Sequence, residues 1–307
     1  MIKNEKRSGI VTRRDFLRGT AYGTMGLALG LKGFKDIASG KDASGLFNGK
    51  NALSKVVLVR NEAAVEKRHN VNSKIVAEMI DSALKIVADE KDILKAWGRY
   101  INEDDIVGVK FSRCSWMRIP TEQAVIDAIV QRIRDLGVSK RRIYAKDYDM
   151  PFKKCTALIN VPSVKVHALT GIAASIKNYI NFTGKESTYH FNGSSKLGEV
   201  WNWPSIKGKT RLIIADALRP YFGPGPQINP MHRWDYNGIL VGIDPVAVDT
   251  VLLRICQEKR NLFKGEVWPI TPPARSVVEA DTQYRLGTSN PSKIRLIRVG
   301  WRKDILV

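Results

Sequence analysis

Short runs of valine and isoleucine alternate along this chain with stretches of helical periodicity. That alternation restricts the fold more than any other feature. Residues 55–60 (KVVLVR) read as a buried strand. Asn72 and Ser73 can cap a helix in which Ile75, Val76, Met79, Ile80, Ala83, Leu84, Ile86 and Val87 fall on one face. A shorter helix is expected at 93–100. Further strands are expected at 105–111 (DIVGVKF), 142–146 (RIYAK), 156–161 (TALINV, stopped by Pro162), 211–215 (RLIIA), 239–243 and 293–299 (KIRLIRV). Helices are expected at 121–136 with Thr121 as its cap, at 171–182, and from Pro245 to about residue 257 behind the cap Asp244. Strands that alternate with helices predict an α/β fold, a mostly parallel or mixed central sheet with helices on both faces. Residues 46–307 form one such domain. Two stretches fit no element and read as long loops, 184–210 and 220–238; loops of that length in a compact domain are functional or disordered.

The N-terminus carries an address rather than structure. Thr12, Arg13, Arg14, Asp15, Phe16, Leu17 and Arg18 give paired arginines, Phe-Leu and a further base, followed by a mildly apolar run at 20–31. This pattern reads as a twin-arginine (Tat) signal peptide and sets residues 1–45 aside as signal and linker. It implies the twin-arginine translocase as partner and the periplasm or cell envelope as destination. Retention of the signal as an anchor stays open, although the run is far short of the roughly 20 apolar residues that span a bilayer.

The formal charge is +20, from 50 Lys/Arg and 30 Asp/Glu. Most of it lies beyond the signal, since residues 1–40 hold 8 bases and 3 acids. Such a balance favours anionic partners. Export excludes nucleic acid, which leaves a small anionic ligand, with peripheral contact to anionic membrane open as well. Cys114, Cys155 and Cys256 have no CxxC spacing, so no iron–sulfur cluster is expected and each reads best as a buried thiol. The resident cofactor and any metal stay undetermined. A metal site would have to gather ligands from distant segments. The chain contains no Gly-x-Ser-x-Gly elbow, no GxGxxG and no phosphate-binding P-loop, against common hydrolases and nucleotide enzymes.

Chemistry-bearing residues concentrate at 160–181 (NVPSVKVHALTGIAASIKNYIN). A loop after Val161 would deliver Lys165 and His167. Thr170 would cap the helix that follows, and Gly171 would leave its first turn open. A helix N-terminus holds anions through its unpaired N–H groups. Lys177, six residues on, could reach the far end of the same ligand. His167 would transfer the proton, its free pKa being near neutral. The plain alternative is a structural loop histidine with lysines facing water. Lys110, Asp147, Asp149, Asp216 and Asp244 follow or end predicted strands, where α/β sheets bind ligands. Helix capping or turn formation would account equally for Asp244, Asp147 and Asp149.

The chain resembles the domain of unknown function 362 family. The resemblance rests on DIVGVKF with Lys110, on ALINVPSVKVHALTGIAASIKN with Lys165, His167, Lys177 and Asn178, on VGIDPVAVDTVLLRI with Asp244 and Asp249, and on RLGTSNPSKIRLIRV. It implies that Lys165, His167 and Lys177 form a site, but names no reaction. Some relatives carry ferredoxin-type modules; this chain lacks the cysteines for one. The family's Lys-x-Lys-Thr-His pattern has Ser163 in place of its first lysine here and Val166 in place of its threonine. The expected site is thus His167 as catalytic group, with Lys110, Lys165, Thr170, Gly171, Lys177, Asn178, Asp216 and Asp244 around an anionic ligand. The alternative is a non-catalytic cofactor carrier or maturation protein of the cell envelope.

Overall fold

The computed structural model describes residues 53–113, 119–225 and 227–307. The signal, the linker and Cys114 lie outside the described residues. All described residues fall within one compact unit. Their centre is a nine-stranded sheet. Seven strands run in the spatial order β3 (Ile143–Lys146), β2 (Val107–Phe111), β4 (Ala157–Val161), β7 (Thr210–Tyr221), β8 (Gly238–Gly242), β1 (Ser54–Arg60) and β9 (Ile294–Gly300). The pairs β3/β2, β2/β4, β4/β7 and β1/β9 are parallel; β8 is antiparallel to both β7 and β1. This is the mixed, mostly parallel α/β sheet the alternation predicts.

Helices cover both faces, because successive side chains of a strand point to opposite sides. Val57 and Val59 of β1 join a core with α1 (Ser73–Ala88), α2 (Ile93–Gly98) and α3 (Gln123–Asp135). Val56 and Leu58 face the other core, built with α5 (Leu197–Trp201), α6 (Pro245–Lys264) and α7 (Arg275–Thr282). The expected Asn72 cap is present, its Oδ1 accepting from Ile75 N at 3.2 Å. Asp244 caps α6 through Val246 N and Ala247 N, at 2.9 and 2.8 Å. Thr121 is not a cap. Helix α3 begins after Glu122, and Thr121 Oγ1 instead donates to Val161 O and accepts from Ser112 N.

The largest departure lies at 163–183. The expected helix at 171–182 does not form. Residues Ser163–His167 form β5, residues Gly171–Ala173 form β6 antiparallel to it, and a 3-10 segment spans Lys177–Thr183. The physical reason is visible in the sequence. Ser163, Lys165 and His167 alternate with Val164 and Val166, a strand period rather than a loop. Gly171 sits at φ +75°, in the left-handed region, and a Cβ there would lie 2.6 Å from Pro272 O and 2.7 Å from Ala274 N. Its freedom serves a tight hairpin turn, not a helix start.

Strand β7 is 12 residues long, more than twice the expected run, and includes Pro220, which had been read as loop. Its far half pairs with β5, Ser163 opposite Asp216 and Lys165 opposite Tyr221, so the β5–β6 hairpin is an extension of the main sheet. The expected loop at 184–210 contains α4 (Glu186–His190) and α5. Helix α7 was not foreseen.

Candidate functional site

Strand β5 puts Ser163, Lys165 and His167 on one face by its two-residue period. Across the hairpin, Ala173 stands opposite Lys165. Its small side chain leaves the space in front of that face open. A cavity of about 390 Å³ occupies this space. It is lined by Lys165, His167 and Ala173 of the hairpin, by Lys177, Asn178 and Asn181 of the 3-10 segment, which form the second wall, by Glu186 and His190 of α4, and by Ser112 and Asp147, which hydrogen-bond Asn178 and Asn181.

A buried polar network supports the floor. Lys110 Nζ lies 2.6 Å from Asp147 Oδ1 and also donates to Phe111 O at 2.9 Å and Asn178 Oδ1 at 3.3 Å. Its side chain is 0% exposed. Burial lowers the Lys110 pKa, and the Asp147 charge opposes that shift. Asp147 also accepts from Arg113 N and Asn181 Nδ2. The Asn178 amide donates to Lys110 O and to Asn160 Oδ1, while its oxygen accepts from Ser112 Oγ. Buried polar groups must be partnered in this way or cost about 1–3 kcal/mol each. Lys110 therefore serves beneath the cavity, shaping Asn178 rather than lining the space itself.

Asp249 fixes the start of the second wall. Its two carboxylate oxygens accept from Ser175 N at 2.7 Å and Ile176 N at 2.9 Å, just before Lys177 and Asn178. Burial raises its pKa to about 6 against those hydrogen bonds. Asn160 adds a donor to Ser175 O. Helical dipole considerations alone would have left Asp249 as an ordinary first-turn acid.

The electrostatics of the mouth follow from its inventory. Lys165 is 4% exposed, and its ammonium donates to Ser163 Oγ at 2.6 Å. Lys177 is half-buried. The Lys110–Asp147 pair cancels, which leaves Glu186 as the other carboxylate among the described lining residues, beside Lys165 and Lys177. His167 feels both lysines. Burial, then the charges of Lys177, His190 and Lys165, push its pKa down to about 3. Near neutral pH it is therefore an uncharged hydrogen-bond donor or acceptor. The expectation that a near-neutral pKa equips it to shuttle protons loses its premise.

The structure brings together Lys165, His167, Lys177 and Asn178 of the expected set, with Lys110 directly behind. It does not bring in the other four. Thr170 Oγ1 donates to Ile172 O inside the hairpin turn, and Gly171 makes that turn. Asp216 is buried and accepts from Glu122 N at 2.7 Å and Leu218 N at 3.0 Å, tying α3 to β7. Burial raises its pKa to about 6. Asp244 is the α6 cap and also accepts from Ser54 Oγ and Thr288 N. Asp149 adopts φ +54° in a turn and is no part of the wall. Ser112, Asn181 and Glu186 were not singled out in the sequence, and His190, within the stretch expected to be a loop, could there close over a pocket or lie on the surface. Only the period-2 pattern of Ser163, Lys165 and His167 signalled which face they would meet.

Among the described residues no cluster of three or more His, Cys, Asp or Glu side chains is placed to hold a metal ion. Cys155 and Cys256 are buried thiols whose pKa values burial pushes up to about 11 and about 12. No helix of the described residues is long and apolar enough to cross a membrane.

Residues 118–254 match the family model described as Domain of unknown function (DUF362). The match supports the family resemblance over that span. It contains β3 to β8, the cavity residues from Asp147 to His190, and the first half of α6, but not Lys110 or Ser112. No curated protein and no solved structure matches the chain.

Proposed function

We propose that the cavity binds a small anionic compound, a carboxylate or a phosphate, between Lys165, Lys177 and His167. The observation that carries this reading is that two lysines and an uncharged imidazole line a cavity of about 390 Å³ in which, among the described residues, the acids are the paired Asp147 and Glu186. A space of that size suits a ligand of several heavy atoms. The lysines supply charge, and the imidazole can donate without carrying charge. The twin-arginine pattern at Arg13 and Arg14 supports delivery of this binding domain to the periplasm or cell envelope through the translocase.

Calorimetric titration tests the reading, with glycolate, lactate, malate, succinate and inorganic phosphate as probes. At least one should bind. Lys165→Met and Lys177→Met should each weaken that binding by roughly 10- to 100-fold, the loss of one charge-assisted hydrogen bond. Absence of binding by every probe, or wild-type affinity in both variants, refutes it.

A further inference from the structure

The two histidines of the cavity present opposite hydrogen-bonding character to it. Their rings stack, centroids 5.4 Å apart and planes within 13°. The backbone decides the proton position on each. Leu169 N–H points at His167 Nδ1 from 3.2 Å. An amide N–H can only donate, so this Nδ1 carries the lone pair. His167 is then uncharged, and its proton sits on Nε2. His190 Nδ1 lies 2.7 Å from Glu186 O. A carbonyl oxygen can only accept, so this Nδ1 carries a proton. When His190 is uncharged its Nε2 holds the lone pair. Burial and the Lys177 charge lower the His190 pKa, which favours that uncharged form. Neither Nε2 has a hydrogen-bond partner among the described residues.

The cavity therefore offers a ligand three kinds of contact: positive charge from Lys165 and Lys177, a donor at His167 Nε2, and an acceptor at His190 Nε2. A simple anion presents only acceptors. It would satisfy the first two and leave the third unmet or opposed. We propose that the ligand carries a hydrogen-bond donor of its own beside its anionic group, as a hydroxycarboxylate does, and that His190 is the residue that selects for it. The carboxylate meets the lysines and the His167 N–H, and the hydroxyl donates to His190 Nε2. This rests on the anion-binding reading above and narrows it.

Matched pairs that differ by one hydroxyl test the idea by calorimetry: glycolate against acetate, lactate against propionate, malate against succinate. In the wild-type protein the hydroxylated member of at least one pair should bind about 10-fold more tightly, the effect of one added buried hydrogen bond. His190→Asn places an amide nitrogen near the Nδ1 position, keeps a donor toward Glu186 O and deletes the acceptor; it should bring the ratio to about one. His190→Gln, whose amide oxygen can reach the Nε2 position, should restore part of the preference. Thermal melting confirms that both variants fold. Carboxylates that bind with no preference for the hydroxyl in wild type, or a preference that survives His190→Asn, overturn this proposal and leave the anion reading standing. Failure of every probe to bind overturns both.

Discussion

Replacing Lys110 and Asp147 singly and together tests the claim that the floor of the cavity is one electrostatic unit. The pair is separated by 2.6 Å, with side chains 0% and 6% exposed. Breaking a buried ion pair by removing one partner costs about 3–5 kcal/mol, because the remaining charge stays buried. Lys110→Met should fall at the low end, about 3 kcal/mol. Asp147 keeps two donors, Arg113 N at 2.6 Å and Asn181 Nδ2 at 3.0 Å, and the methionine fills the space of the lysine stem. Asp147→Asn removes the counter-charge and leaves one amide oxygen for the ammonium, which keeps Phe111 O and Asn178 Oδ1, while the amide nitrogen cannot accept from Arg113 N. Its cost is also about 3 kcal/mol, capped because burial already lowers the Lys110 pKa and the amine can shed its proton. The double variant buries no charge, so it should lose about 2 kcal/mol rather than the sum. Urea unfolding followed by circular dichroism gives the three values, and each kcal/mol should appear as roughly 2–4 °C in Tm for a domain of this size. A double variant as unstable as the two singles added together would refute the reasoning. So would a Lys110→Met protein within about 0.5 kcal/mol of wild type.

Two further outcomes follow from buried groups. His167 has a folded pKa depressed from 6.5 to about 3, so on acidification the unfolded chain takes up that proton first. Its contribution is complete above pH 6.5 and is lost as pH falls toward 3. His167→Asn, whose amide oxygen can still accept from Leu169 N, should gain about 2 kcal/mol relative to wild type between pH 7 and pH 5, by urea titration at both; a constant difference would argue against a buried uncharged imidazole. Asp216 and Asp249, with pKa values raised to about 6, act in the opposite direction, but they are common to both proteins and cancel in that difference. Asp249→Ala strips the acceptors from Ser175 N and Ile176 N, so it should cost about 3 kcal/mol in urea and weaken anion binding through displaced Lys177, while an unaltered affinity would show that the carboxylate does not position that wall.

The strands and long helices were legible because their sequence periods agree with their surroundings. Val56 to Val59 are apolar throughout and buried on both faces, and the α1 stripe from Val76 to Val87 matches its buried positions. The hairpin was not. Its strands are five and three residues long, and Gly171, Ala173, Ala174 and Ser175 suit an open first helical turn as well as a close-packed turn. What decides between them is Pro272 and Ala274, about a hundred residues away, against which only a glycine fits. The site was half legible for the same reason. Lys165, His167, Lys177 and Asn178 lie close in sequence and could be grouped by inspection. The roles of Asp216, Asp244 and Asp249 depend on which backbone N–H groups arrive beside them, and nothing local in sequence records that. Tautomers are still further from the sequence, since they follow from single atoms of Leu169 and Glu186.

The continuity of β7 across the main sheet and the hairpin has an evolutionary corollary. Ser163 and Lys165 pair with Asp216 and Tyr221 on the same strand that pairs with β4 and β8, so an insertion there would throw several ladders out of register at once. The opposite bank, where Glu186 and His190 stand, is a helix of only five residues that belongs to no ladder. Descendants of this chain can thus retain the grip on charge almost unaltered while that short bank is rewritten, and a change of preferred molecule should be sought there first.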